Sequence, residues 1–175
     1  MVINRPSDAA ERAAALTGAL RVDEADASAV ASLLHAHGEP ARPDVTDADV
    51  AALRPVADRL WEIFGAPDVD TAARLINDLL AETAAPPRLS AHDGTFWHLH
   101  ADRDDDASWA EWFAASSALA LAVLLAERRA LPGGLCASAS CGRPFVMTGR
   151  GAPRRYCSAR CGSRERVASH RRARK

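Results

Sequence analysis

The chain has a single lysine, Lys175, and its first 135 residues contain no cysteine. No apolar run approaches the roughly 18 residues that a bilayer-spanning helix needs, and the amino terminus lacks the basic-then-apolar order of a signal peptide. Those two absences argue against a membrane protein and against secretion, so a cytoplasmic location is expected. Internal repeats and long low-complexity segments are also missing, which sets aside solenoids and extended disordered stretches. No nucleophile, base and orienting group stand at a recognisable spacing, so nothing in the chain reads as an enzyme.

What is present is unevenly distributed. With 175 residues and 48% hydrophobic content, the chain has enough apolar material for one real core and room for a small appendage. The net charge of -1 conceals two opposite halves. Residues 1–135 carry 11 Arg against 22 acids, whereas residues 136–175 carry 10 Arg and one Lys against the single acid Glu165. An acidic body with a basic arm points to a phosphate-rich or acidic partner for the arm.

The body reads as mainly helical. Asp8 and Glu11 stand at capping spacing before ERAAALTGAL, and Asp26 opens DASAVASLLHAHG with Gly38 as terminator. Thr46 caps TDADVAALRPVADRLWEIFG, in which Val50, Leu53, Ala57, Leu60 and Phe64 recur at helical spacing and Pro55 is expected to kink the helix. Asp70 is the expected start of a fourth helix, stopped by Pro86 and Pro87. The periodicity then changes to a β-hairpin around Asp93-Gly94, with Phe96, His98 and His100 on one face and Trp97 and Leu99 on the other. Ser108 and Glu111 form a capping box for SWAEWFAASSALALAVLLAERR, apolar nearly all round and therefore the central helix. LPGGL, residues 131–135, reads as a linker. The expected fold class is thus mainly α with a small β-hairpin: a helical domain over 1–130, a linker, and a cysteine-bearing module over 136–175.

All four cysteines lie in that module, spaced Cys136-x4-Cys141-x15-Cys157-x3-Cys161. Two close pairs brought together supply the four soft ligands of a tetrahedral structural zinc site, with no open position for catalysis. Redox-labile or plain thiols are the alternatives. Gly142 suits the turn of the first pair, RPFVM and RRYC are expected to form two strands, and a helix from Ser158 would put Cys157 and Cys161 on its first turn. The result is a treble-clef-like module. Forty residues bury too little apolar surface to fold alone, so one Zn2+ would supply about 10 kcal/mol of folding free energy.

The segment CGRPFVMTGRGAPRRYCSARCGSRERVASHRR resembles the CGNR zinc finger, in which a C-x4-C pair is followed by an aromatic strand, an Arg-Arg-aromatic-Cys-Ser turn and a helix opening Cys-Gly-Asn-Arg. The upstream part, with its DADVAALR helix, hairpin and long alanine- and leucine-rich helix, is similar to the ABATE domain that usually precedes this finger. The resemblance implies a stress-related bacterial transcription regulator. Ser163 stands where the signature has Asn, and the usual strand-like amino-terminal start is replaced by ERAAALTGAL. An Asn there can read adenine through two hydrogen bonds, whereas Ser discriminates bases poorly.

Arginine forks suit phosphate and guanine edges, so DNA is the expected partner. Arg164, Arg166, Arg171, Arg172 and Arg174 of the last helix would enter a major groove, with Arg150, Arg154 and Arg155 on the backbone. A period of about 100° per residue puts Ser163, Arg166, His170 and Arg174 opposite the zinc, with Glu165, Ala168 and Arg172 near it. Docking of the arginines on an acidic protein surface, this chain's own body included, stays open, as does a role as zinc-dependent adaptor or redox-responsive zinc switch. A homodimer is compatible with palindromic DNA. In the body, His98, His100 and Trp97 are the candidates for contact with a small-molecule ligand. Trp61, Trp97, Trp109 and Trp112 read as core, and Ser116-Ser117 as a place of close packing or back-bonding to the main chain.

Overall fold

Thr46 and Ser108 begin the two longest helices through complete capping boxes, each hydroxyl accepting from the backbone N–H three residues on while Asp49 or Glu111 accepts from the cap's own N–H. These helices belong to a computed structural model that describes residues 6–39, 44–83, 85–91, 96–104, 106–149 and 152–173. Six helices and two two-stranded antiparallel sheets are seen among those residues: α1 Pro6–Arg21, α2 Ala27–Ala36, α3 Asp47–Phe64, α4 Val69–Thr83, β1 Arg88–Ser90, β2 His98–His100, α5 Trp109–Arg128, β3 Gly133–Leu135, β4 Pro144–Val146 and α6 Ala159–Ala173. The mainly α class with a small hairpin therefore holds.

Local chemistry moves two helix starts from their expected places. Helix α1 opens at Pro6, whose missing donor costs nothing at a first turn, so Asp8 lies inside that turn. Helix α4 is capped by Asp68, whose Oδ1 accepts from Thr71 N at 2.7 Å, and not by Asp70, which lies in the first turn. Pro55 does not end α3, because it is exposed and the Ala51 carbonyl it deprives of a donor is also on the solvent side. Gly38 does terminate α2, at φ 92, as a left-handed residue past the last turn.

Helix α5 is the centre. Helices α1, α3 and α4 all pack on it, burying Phe113 and Leu121 against Leu16 and Leu20 of α1, Leu53, Leu60 and Ile63 of α3, and Ile76 and Leu79 of α4. Each such side chain contributes about 1.5–3 kcal/mol on burial. Ala10, Ala13 and Ala14 of α1 and Ala114 and Ala118 of α5 are buried too, and their small side chains let these two helices approach closely. Helix α5 is the only helix among the described residues long and apolar enough to cross a membrane, and its apolarity is accounted for by the bundle packed around it.

The segment expected to be a linker is a strand. Gly133–Leu135 pairs antiparallel with Pro144–Val146, in the register Gly133↔Val146 and Leu135↔Pro144. The hairpin therefore brackets the first cysteine pair, whereas RRYC, expected as the partner of RPFVM, forms no strand. Arg154 takes that place with its side chain, its Nη2 donating to Val146 O at 2.6 Å where a neighbouring strand's N–H would stand. Strand β4 is buried on both faces, and its alternation divides it between two cores. Val146 joins the helical core, whereas Phe145 and Met147 pack with Cys136 and Cys161. Further contacts hold the two parts together: Arg143 pairs with Asp23 at 2.6 Å, Pro144 and Arg143 lie over Gly18, and Arg128 donates to Gly149 O.

Candidate metal centre and its basic helix

Strand β3 delivers the chain to Cys136, whose N–H donates to Arg143 O at 2.9 Å across the mouth of the turn. Inside it, Cys141 N–H donates to Ser138 O at 2.9 Å, and Gly142 completes the bend at φ 65, a conformation that β-carbons disfavour. The second pair comes from the start of α6. Ser158 Oγ accepts from Cys161 N at 3.3 Å, an N-cap contact that places Cys161 in the first turn. Ala137 N–H donates to Arg155 O at 2.9 Å and joins the two halves.

The four Sγ atoms all lie within 4.8 Å of one another, with Cys141 to Cys157 at 3.7 Å and Cys157 to Cys161 at 3.6 Å. Four sulfurs at about 2.3 Å from one tetrahedral zinc stand about 3.8 Å apart. The donor set and its spacing therefore fit one Zn2+ held by Cys136, Cys141, Cys157 and Cys161, with every position taken by protein. All four are free cysteines.

The sulfurs differ in their electrostatics. Burial, then contacts with the neighbouring sulfurs, pushes the Cys157 thiol up to about 12. Cys161 is held down at about 6, first by Ser158, then by Cys157 and Arg164. Crowded sulfurs cannot all carry charge without a cation among them, and zinc supplies it. Two N–H groups already point at sulfur: Cys157 N to Cys136 Sγ at 3.4 Å and Arg164 Nη2 to Cys161 Sγ at 3.0 Å. Glu165, the one acid of the module, accepts from the buried Ser138 Oγ at 2.9 Å and ties α6 to the first turn.

From Ser163 to Ala173 no residue of α6 is buried. Glu165 and Ala168, expected on the zinc side, are half-buried, and Ser163, Arg166 and His170, expected on the opposite side, are exposed. Arg172, expected near the zinc, is exposed like its neighbour Arg171. The basic residues divide by role. Arg164 is turned to sulfur, Arg154 braces Val146 O and lies over the Phe145 ring at 5.4 Å, and Arg155 lies over Tyr156 at 5.9 Å. Arg166 donates to Ser163 Oγ at 2.8 Å. Arg160, absent from the sequence-based set, is a further exposed arginine in the first turn. Arg150 and Arg174 lie outside the described residues. No described arginine of α6 forms an ion pair with the acidic body.

In the body, His98 and His100 do come together, with Nε2 atoms 2.8 Å apart, on the inner face of the β1–β2 hairpin. The Asp93-Gly94 turn of that hairpin lies outside the described residues. Trp97 is 60% exposed, so it is not core, and it does not line the cavity that the histidines border. The strand alternation that buries His100 turns Trp97 away. Trp61, Trp109 and Trp112 are half-buried. The histidines border a cavity of about 140 Å³ shared with Arg12, Asp102, Trp112 and Ser116. Arg12 is buried, pairs with Glu39 at 2.7 Å, reaches Ser116 Oγ at 3.2 Å and lies 4.3 Å from the Trp112 ring centre. Burial, partly opposed by Glu39, lowers its pKa. Ser116 is thus a polar contact across the bundle, and only Ser117 is fully enclosed. Arg12 and Glu39 carried no local signal, since they come from elements far apart in the chain, whereas Asp102 pairs with Arg88 and with nearby His100.

Residues 134–175 match the family model of the CGNR zinc finger, the segment that holds the four-sulfur cluster and α6. No curated protein matches the chain.

Proposed function

We propose that this protein is a bacterial, cytoplasmic transcription regulator whose zinc finger binds DNA and whose acidic helical body, of ABATE type, senses a signal or mediates assembly. The observation that carries the reading is the state of α6. It leaves the zinc site in a direction set by Cys161, Ser158 and Glu165, and beyond Gly162 none of its described residues is fully buried. A basic helix held at one end and free along its length is the shape that enters a major groove. Arg166, His170 and Arg171 are the groove-facing residues in this reading, and Arg160 and Arg155 approach the phosphates. Ser163 offers little base discrimination, so groove shape and arginine contacts supply the preference. The reading contains no catalytic step.

The test is a salt titration of DNA binding by the full zinc-loaded chain. Affinity is expected to fall log-linearly with salt, and removing one phosphate-contacting arginine by Arg160→Ala is expected to reduce the slope by about 1. Binding should be lost on chelation. Absent or salt-insensitive binding by the zinc-loaded chain would sink the reading, and capture of an acidic protein partner by the same surface would instead establish an adaptor.

A further inference from the structure

Trp112, Ser116, Leu119 and Val123 recur at intervals of three and four along one face of α5, and with Ala9 and Arg12 of α1 they line one cavity. Residues 98–102 of the hairpin border the same space, about 140 Å³ in volume. A junction between bundle helices is a usual place for a small molecule to be held. A cavity of about 150 Å³ accommodates benzene, so the size here suits one ring or a comparable aliphatic group. Ala9, Leu119 and Val123 give it apolar walls, and Trp112 adds an aromatic one.

Arg12 is the polar feature that the fold leaves incomplete. It is only 2% exposed, its Nη1 donates to Glu39 Oε1 at 2.7 Å, its Nη2 donates to Ser116 Oγ at 3.2 Å, and the guanidinium lies 4.3 Å from the Trp112 ring centre. These three contacts fix the plane of the group. Its Nε–H is buried as well and has no acceptor among the described residues. A buried donor without a partner bears its full desolvation, and a donor already held in place needs no further ordering when an acceptor arrives. Charge narrows the class of acceptor. The two carboxylates on the wall are each matched by an arginine, Glu39 by Arg12 at 2.7 Å and Asp102 by Arg88 at 3.0 Å. A third carboxylate would face both without a spare arginine among the described residues, whereas an uncharged oxygen meets the donor without that repulsion.

We propose that this cavity binds a small, uncharged, mainly apolar molecule of one ring or similar bulk, whose carbonyl-type oxygen accepts a hydrogen bond from Arg12. The proposal deepens the reading of the helical body as a sensor and rests on it only for the role of the bound molecule as a signal. Occupancy is measured on the body and DNA binding on the finger, so failure of either is seen separately.

The test titrates the full zinc-loaded chain with benzamide and follows the Arg12 Nε–H and Trp112 indole resonances by NMR. One saturable equivalent is expected, with the Arg12 Nε–H moving downfield for benzamide and not for toluene. Benzoate, of the same shape but charged, should bind about tenfold more weakly or less. Val123→Phe, which fills the cavity and keeps every polar group, should abolish binding. Arg12→Met should weaken benzamide about 3- to 10-fold and spare toluene. The downfield shift in the unmodified chain serves as evidence even where Arg12→Met fails to fold. Absence of saturable benzamide binding, an unmoved Arg12 Nε–H at saturation, benzoate binding as tight as benzamide, or undiminished binding to folded Val123→Phe would overturn the proposal.

Discussion

Placing a methyl group on Gly133 is expected to cost this protein far more than placing one on Gly134, its neighbour in the same strand. A β-carbon at Gly133 would overlap the carbonyl oxygen of Phe145 and stand 2.9 Å from two ring carbons of Phe64. The first obstacle is backbone within the β3–β4 ladder, and the second is a core residue of α3, so neither yields cheaply. Overpacking costs about 1–3 kcal/mol, and each ladder hydrogen bond lost in escaping the overlap adds about 1 kcal/mol. A total of about 3 kcal/mol corresponds to a fall in Tm of about 6–12 °C for a chain of this size. At Gly134 the nearest atom is the tip of the Phe145 ring at 3.3 Å, which swings aside. Gly134→Ala should therefore cost less than about 1 kcal/mol. Calorimetric unfolding of the two zinc-loaded variants beside wild type measures both values. Equal Tm values for Gly133→Ala and Gly134→Ala would refute the reasoning and return residues 131–135 to the status of a loose connection.

The other expectations concern caps, charge and metal retention. Thr46→Ala should cost about 1 kcal/mol by removing the α3 cap. Hydrogen bonds from the Thr46 hydroxyl and N–H hold the Asp49 carboxyl below its usual 3.8. The folded state therefore gains from ionised Asp49 above that value and loses the gain as pH falls through the lowered one. Asp49→Asn should flatten this limb in a pH series of denaturant midpoints, and an unchanged limb would rule the cap out as its source. Arg164→Ala removes the N–H donor to Cys161 Sγ, so competition with a chromophoric chelator should show zinc affinity reduced about 10- to 100-fold. Glu165→Gln weakens the tie between α6 and Ser138 by about 1 kcal/mol. It should raise amide exchange in the first turn of α6 and leave the body unaffected.

Much of the molecule was legible where local chemistry decides structure. The boxes at Thr46 and Ser108, the apolar face of α3 and the spacing of four cysteines all act over a few residues, and each led to the element or site observed. The facing of α6 was legible in large part because a helix of known period was anchored at Cys161. Long-range pairing was not. Gly133-Gly134 has the composition of a linker, and only the Phe145 backbone, closing on residues without side chains, makes it a strand. Arg154 shows only its charge in the sequence, which does not display the Val146 carbonyl it braces. The Arg12 contact to Ser116 joins helices 104 residues apart in the chain, beyond the reach of any periodicity. Trp97 was misread as core for the opposite reason, since bulk suggested burial although the two-residue alternation had already placed it on the face opposite His98 and His100.

The docking of the finger through β4 has a consequence for encounters at a distance. Residues 1–135 hold a formal charge of -11 and residues 136–175 one of +10 before the cysteines and zinc are counted, and the shared strand and the Arg143–Asp23 pair join these halves. With its charge divided in this way, the molecule is an electric dipole. In the field of any polyanion it experiences a torque before it makes contact, turning the basic end forward and the acidic body back. Orientation is thus selected during diffusion. A misaligned approach is repelled and does not have to be corrected on the surface, and added salt slows productive arrival by shortening the range over which the molecule is turned.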